Sequence, residues 1–201
     1  DNVATDESSE PEALFMGLFH AREAIGGSSM VFFMQYLCEN YATDQRIKDL
    51  VDNREIYIIP CSNPDGWVYN ETTNPDGGGQ WRKNRRNFAD TAWGVDLNRN
   101  WPVDWANCTG AIGAVNCGSA DSKSAVYWGT SQLSEPESIN LYNFIRARDF
   151  VVVMDQHATG PYYSLPYGRI DTLLSAQEDS IFIEMCSNMG KYNGMRYGST
   201  Y

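Results

Sequence analysis

The sequence predicts an α/β fold with a mixed, largely parallel central sheet flanked by helices. Three observations carry that expectation. Short apolar runs at 13–19, 55–60 and 150–154 have the length and composition of strands buried on both faces. Met30, Phe33, Met34, Leu37, Cys38 and Tyr41 recur at helical spacing and make one apolar stripe. Strand-like and helix-like segments also alternate along the chain, as they do where helices cover a sheet.

The elements follow in order. Residues 1–12 are acidic and polar and read as an N-terminal tail or loop, which does not resemble a signal peptide. Residues 13–201 form the domain. After the first strand, 20–24 is a turn that carries chemistry. A helix is expected over 27–41 and a shorter one over 44–51. The second strand, 55–60, ends in the turn sequence Asn63-Pro64-Asp65-Gly66. Regular structure thins out between Trp67 and Trp128, a span whose tryptophans (67, 81, 93, 101 and 105) argue against disorder. Ser134-Glu135-Pro136-Glu137 reads as a capping box opening a helix that runs to about Arg148. A third buried strand ends at Asp155-Gln156-His157. Residues 161–166 are extended, Ser175-Ala176-Gln177-Glu178 caps a last helix reaching about Met189, and a Gly- and Tyr-rich tail follows.

Length and charge bound the function. The 201 residues suffice for a single core, and 42% hydrophobic content is ordinary for a globular chain. A net charge of −11 argues against nucleic acid as a partner, and no apolar stretch is long enough to span a bilayer. Cys108 and Cys117 could close a short bridge, and Asn70-Glu71-Thr72 and Asn107-Cys108-Thr109 are glycosylation sequons placed in expected loops. Together they tilt the expectation towards a secreted glycoprotein.

The chain has only two histidines, and both directly follow an apolar run. His20 and Glu23 stand three apart, so an imidazole and a carboxylate can lean towards one point. His157 follows the third strand. In parallel α/β sheets ligands gather outside the carboxyl ends of the strands, where both histidines fall. Two imidazole nitrogens and a carboxylate oxygen would leave a tetrahedral zinc with one open position, the arrangement of a catalytic site. The cysteines lack metal-ligand spacing. Arg82, Lys83, Arg85, Arg86 and Arg99 concentrate positive charge in an acidic chain. Lys83 and Arg85 read as a solvated face or as ion pairs with the acidic excess, while an arginine beside an amide, as at Asn98-Arg99, suits a carboxylate ligand.

His20-Ala21-Arg22-Glu23, Asn63-Pro64-Asp65-Gly66, Trp81-Arg82-Lys83-Asn84-Arg85, Val95-Asp96-Leu97-Asn98-Arg99-Asn100-Trp101, Ser134-Glu135-Pro136-Glu137 and the strand-end His157 occur in an order that resembles the zinc metallocarboxypeptidases of the carboxypeptidase A/B type. Carboxypeptidase A is itself a standard example of a two-histidine, one-glutamate zinc site. The resemblance covers about residue 13 to the end. It implies a carboxypeptidase-like fold and a single Zn2+ held by His20, Glu23 and His157. It also implies that Arg82 polarises the scissile carbonyl. Asn98 and Arg99 would grip the terminal carboxylate of a peptide or protein C-terminus, and Arg22 would help bind peptide. The implied activity is hydrolysis of C-terminal residues.

The sequence departs from the family in three places. Ala24 replaces a bulky aromatic residue, and Thr159 replaces a tyrosine. The family's general-base glutamate lies well downstream of the last zinc ligand and has no counterpart here; Glu178 and Glu184 do not match it. The expectation is therefore a domain incomplete at both ends and inactive as given. The alternative is a non-catalytic relative that binds peptide C-termini or serves structurally.

Overall fold

The computed structural model describes residues 10–89, 92–107, 118–158, 160–166 and 174–198. Three strands form a parallel sheet in the order β2-β1-β3: β1 is Glu12–Gly17, β2 is Glu55–Ile59 and β3 is Phe150–Gln156. β1 lies at the centre, with Phe15 opposite Ile58 on one side and Met154 on the other. β-branched and aromatic residues dominate β2 and β3, as suits a pleated, packed surface.

The faces of β1 alternate. Leu14 and Met16 enter the buried core with Phe19, Leu97 and Leu141. Leu141 belongs to helix α4 (Pro136–Arg146), and Tyr57, Phe144 and Phe150 meet edge to face or tilted along the same side. Phe15 points the other way, with its ring 5.0 Å from Phe33 of helix α1 (Ala24–Asn40). A side chain added at Gly17 would strike the Gly26 carbonyl, and one added at Gly26 would strike the Gln156 carbonyl, both at 2.6 Å. The start of α1 thus presses against the ends of β1 and β3 at once. Helix α2 (Gln45–Asp52) is capped by Asp44, whose carboxylate accepts from two backbone N–H groups. Helix α5 (Ala176–Asn193) carries the expected capping box of Ser175 and Glu178 and ends at Gly194 in the left-handed conformation. A separate parallel pair joins β4 (Tyr162–Ser164) to β5 (Arg196–Gly198).

Several expectations change. Asn63-Pro64-Asp65-Gly66 is the cap and first turn of a helix, α3 (Pro64–Thr73), with the Asn63 side chain accepting from the Gly66 N–H. The sequon residue Asn70 is therefore helical rather than in a loop. It is 5% exposed, and its amide exchanges hydrogen bonds with the Trp81 backbone, so the folded chain offers no acceptor there. The box at 134–137 does not form. Glu135 is the cap, with no side-chain bond to the helix's first N–H groups, and Ser134 donates instead to the Glu135 carboxylate. Outer strands β2 and β3 are only half-buried, and Val151 is 70% exposed, because an edge strand lacks cover on one side. Cys38 in the α1 stripe is exposed. Lys83 and Arg85 are not solvated: Lys83 is buried, and the Arg85 guanidinium stacks on Tyr69, Trp81 and Trp93. Most of the N-terminal tail, the Cys108/Cys117 pair and Thr159 lie outside the described residues. No helix among the described residues is long and apolar enough to cross a membrane.

Candidate metal centre

The chain leaves β1 through Leu18, a buried residue at positive φ, a conformation that bulky side chains rarely adopt. That bend sets Phe19 into the core and turns His20 towards the mouth of the sheet. Residues 20–23 then form a turn closed by the Glu23 N–H on the His20 carbonyl, so the three-residue spacing works through a turn and not a helix. Glu23 is the residue before α1, whose close approach to Gln156 brings it beside His157.

His20, Glu23 and His157 converge. His20 Nδ1 lies 2.9 Å from Glu23 Oε1, His157 Nδ1 lies 2.7 Å from Glu23 Oε2, and the two Nδ1 atoms are 3.1 Å apart. The rings sit with centroids 4.6 Å apart. His20 and Glu23 are buried and His157 is partly open. Each imidazole is held from behind. His20 Nε2 meets Asp96 Oδ1 at 3.2 Å, and His157 Nε2 meets Asp155 Oδ2 at 2.9 Å. A carboxylate on the distal nitrogen fixes the ring and directs the other nitrogen's lone pair inward. Three electron-rich atoms at such separations need a shared proton or a cation between them, and the donor set is one that zinc takes.

The electrostatics agree. Burial raises the Glu23 pKa, but hydrogen bonds from His157 and His20 outweigh it and hold the carboxyl well below its usual range. Burial lowers the His157 pKa, yet Asp155 and Glu23 overcome it and raise the value to about 9. Asp96 follows the Glu23 pattern, with burial opposed by His20, Arg82 and Arg99.

Arg82 sits close to this cluster. Its Nε and Nη2 donate to Asp96 Oδ2 at 3.0 and 2.8 Å, and its carbonyl accepts from the Ala21 N–H. It is therefore ion-paired, with its side chain 13% exposed. Asp96 also accepts from the Asn98 N–H and opens the short 3-10 turn Leu97–Arg99, so one carboxylate ties His20, Arg82 and the Asn98-Arg99 pair together. Asn98 and Arg99 are half-buried, and Arg99 Nη1 donates to the Asn98 carbonyl. Arg22 is exposed. Asn84 braces the loop, bonding Glu135 and Glu137 through Nδ2 and the Val95 N–H through Oδ1.

Sequence reasoning did not single out Asp96 or Asp155. Asp155 could have been found, because residues two apart on a strand share a face and place a carboxylate beside the His157 ring. No local spacing joins Asp96 to His20, since they lie 76 residues apart.

A parallel-sheet α/β domain with two imidazoles and a carboxylate at its strand ends has the architecture of a zinc-peptidase fold. The chain belongs to the zinc carboxypeptidase family, whose model matches residues 1–200. It is 36% identical over 200 residues to a zinc carboxypeptidase of Saccharothrix mutabilis subsp. capreolus, covering 98% of this chain and 45% of that protein. It is 33% identical over 186 residues to zinc carboxypeptidase A 1 of Drosophila melanogaster, covering 90% of this chain and 39% of that protein. The chain thus spans less than half the length of these relatives. Among solved structures, thrombin activatable fibrinolysis inhibitor superposes with a TM-score of 0.79 at 23% identity, over 98% of this chain and 48% of that one. Carboxypeptidase A from Helicoverpa armigera gives 0.74 at 24% identity, over 97% and 46%. These structural likenesses establish the fold.

Proposed function

We propose that this chain forms the metal-holding part of a secreted zinc carboxypeptidase, an exopeptidase that removes C-terminal residues from peptides. The observation that carries the reading is the convergence of His20 Nδ1, the Glu23 carboxylate and His157 Nδ1, each imidazole backed by its own aspartate. These three residues would hold a single zinc ion, which supplies Lewis-acid chemistry for activating water and polarising a peptide carbonyl. Arg82, held by Asp96, places a fixed positive charge beside the reacting carbonyl. Asn98 and Arg99, in the short turn that the same aspartate opens, receive the substrate's terminal carboxylate. Arg22 binds the peptide further out. The secreted setting rests on sequence alone, on the Cys108/Cys117 spacing and the Asn107 sequon.

One observation favours a second reading, a non-catalytic domain that binds peptide C-termini. Beyond Glu23, the carboxylates found at the cluster among the described residues are Asp96 and Asp155, and both face distal imidazole nitrogens. Neither is placed to take a proton from water on the open side. The expected behaviour of residues 1–201 is zinc and peptide binding with little turnover. Metal analysis of the purified chain tests the core of the proposal: about one zinc per chain, lost in His157→Ala. Stoichiometric zinc surviving in that variant would sink the ligand assignment, and clear peptidase activity of the isolated chain would overturn the second reading.

A further inference from the structure

Outward from Arg82 the surface forms a pocket whose walls include Arg22, Trp81, Arg82, Lys83, Trp93 and Lys123, and none of its described lining residues is acidic. Its cations divide into two sets. Arg82 is committed to Asp96, and buried Lys83 donates to the Ser122 carbonyl at 2.8 Å. Arg22 and Lys123 are exposed and form no ion pair with a described residue. The Trp81 and Trp93 rings are pinned by the Arg85 guanidinium between them, 4.4 and 4.5 Å from their centres. A cationic, aromatic pocket in a chain of net charge −11 is matched to an anion that carries some apolar surface. Through Arg82 and Asp96 it adjoins His20, while Asn98 and Arg99 do not line it.

We propose that this pocket is a subsite for an acidic side chain of the peptide, upstream of the C-terminal residue, so that the protein prefers substrates with Asp or Glu there. The tryptophans pack against the methylenes, and Lys123 with Arg22 receives the carboxylate. The proposal rests on the reading of the adjoining cluster as a peptide C-terminus site. It adds a selectivity carried by Lys123 and Trp93, neither of which is assigned a role at that site.

The test is calorimetric titration of the zinc-loaded chain with two pentapeptides. They share a C-terminal residue and differ only by Glu against Gln in the middle three positions. The Glu peptide is expected to bind roughly three- to tenfold tighter, with the gap closing at high salt. Lys123→Glu should abolish or reverse the preference. Trp93→Ala should weaken both peptides. Equal affinity for the two peptides, or a preference unmoved by Lys123→Glu, would overturn the subsite alone. Failure of both peptides to bind would overturn the C-terminus reading and the subsite with it.

Discussion

At the scale of single residues, the cluster depends on groups that never touch its interior. Asp96 and Asp155 each take the distal nitrogen of one imidazole. Removing that charge while keeping shape should loosen the ring and lower the basicity of its inner nitrogen. Asp155→Asn is accordingly expected to weaken zinc binding by about 10- to 100-fold, measured by competition with a chromogenic chelator, without unfolding the chain. Asp96→Asn should do the same and also free Arg82, so peptide affinity falls as well. His20, Glu23 and His157 were legible in the sequence because a chain with two histidines leaves few choices. Asp155 was legible in principle from its place on the strand. Asp96 was not, since a contact across 76 residues is set by how the loop packs over the sheet.

At the scale of elements, close packing sets the site. The Gly26–Gln156 approach leaves no room for a side chain, and that approach puts Glu23 beside His157. Gly26→Ala should cost about 1–3 kcal/mol of stability by overpacking and reduce zinc affinity together, read by urea melts and metal titration. A loss of stability with unchanged affinity would contradict the coupling. Asn84→Ala removes the tie between the arginine loop and α4, leaving the Val95 N–H unsatisfied, at a cost of about 2–3 kcal/mol. The three strands of the main sheet and four of the five helices were readable from pattern. Helix α3 was not, because its opening sequence is equally good turn chemistry and only the docking of Asn63 onto the Phe19 carbonyl decides between them. The box at 134–137 failed for a related reason. Ser134 is drawn to Asn100 and Glu135, so tertiary contacts outweighed the local cap.

At the scale of the whole molecule, the proposed metal site ties ion binding to folding. Without metal, the raised His157 value means its contribution is fully present below pH 6.5 and lost as pH rises through about 9. The lowered Glu23 value means its contribution is present above pH 4.5 and lost on acidification. With chelator, thermal stability should therefore decline between pH 6.5 and 9. Zinc competes with the proton on His157, so the rise in melting temperature on adding zinc should widen over the same interval. A gap that narrows as pH rises would show that His157 is not a ligand.

The parallel arrangement of β1 and β3 has a kinetic consequence. Parallel neighbours cannot be joined by a tight turn, and the two imidazoles lie 137 residues apart in the chain. Their meeting requires one of the longest loop closures the polypeptide makes, and such high-contact-order pairings form slowly. The site is therefore among the last features to exist during refolding. Rapid-mixing uptake of zinc by a refolding chain should lag behind helix formation and follow the docking of β3 onto β1, which makes the ion a reporter of completed assembly.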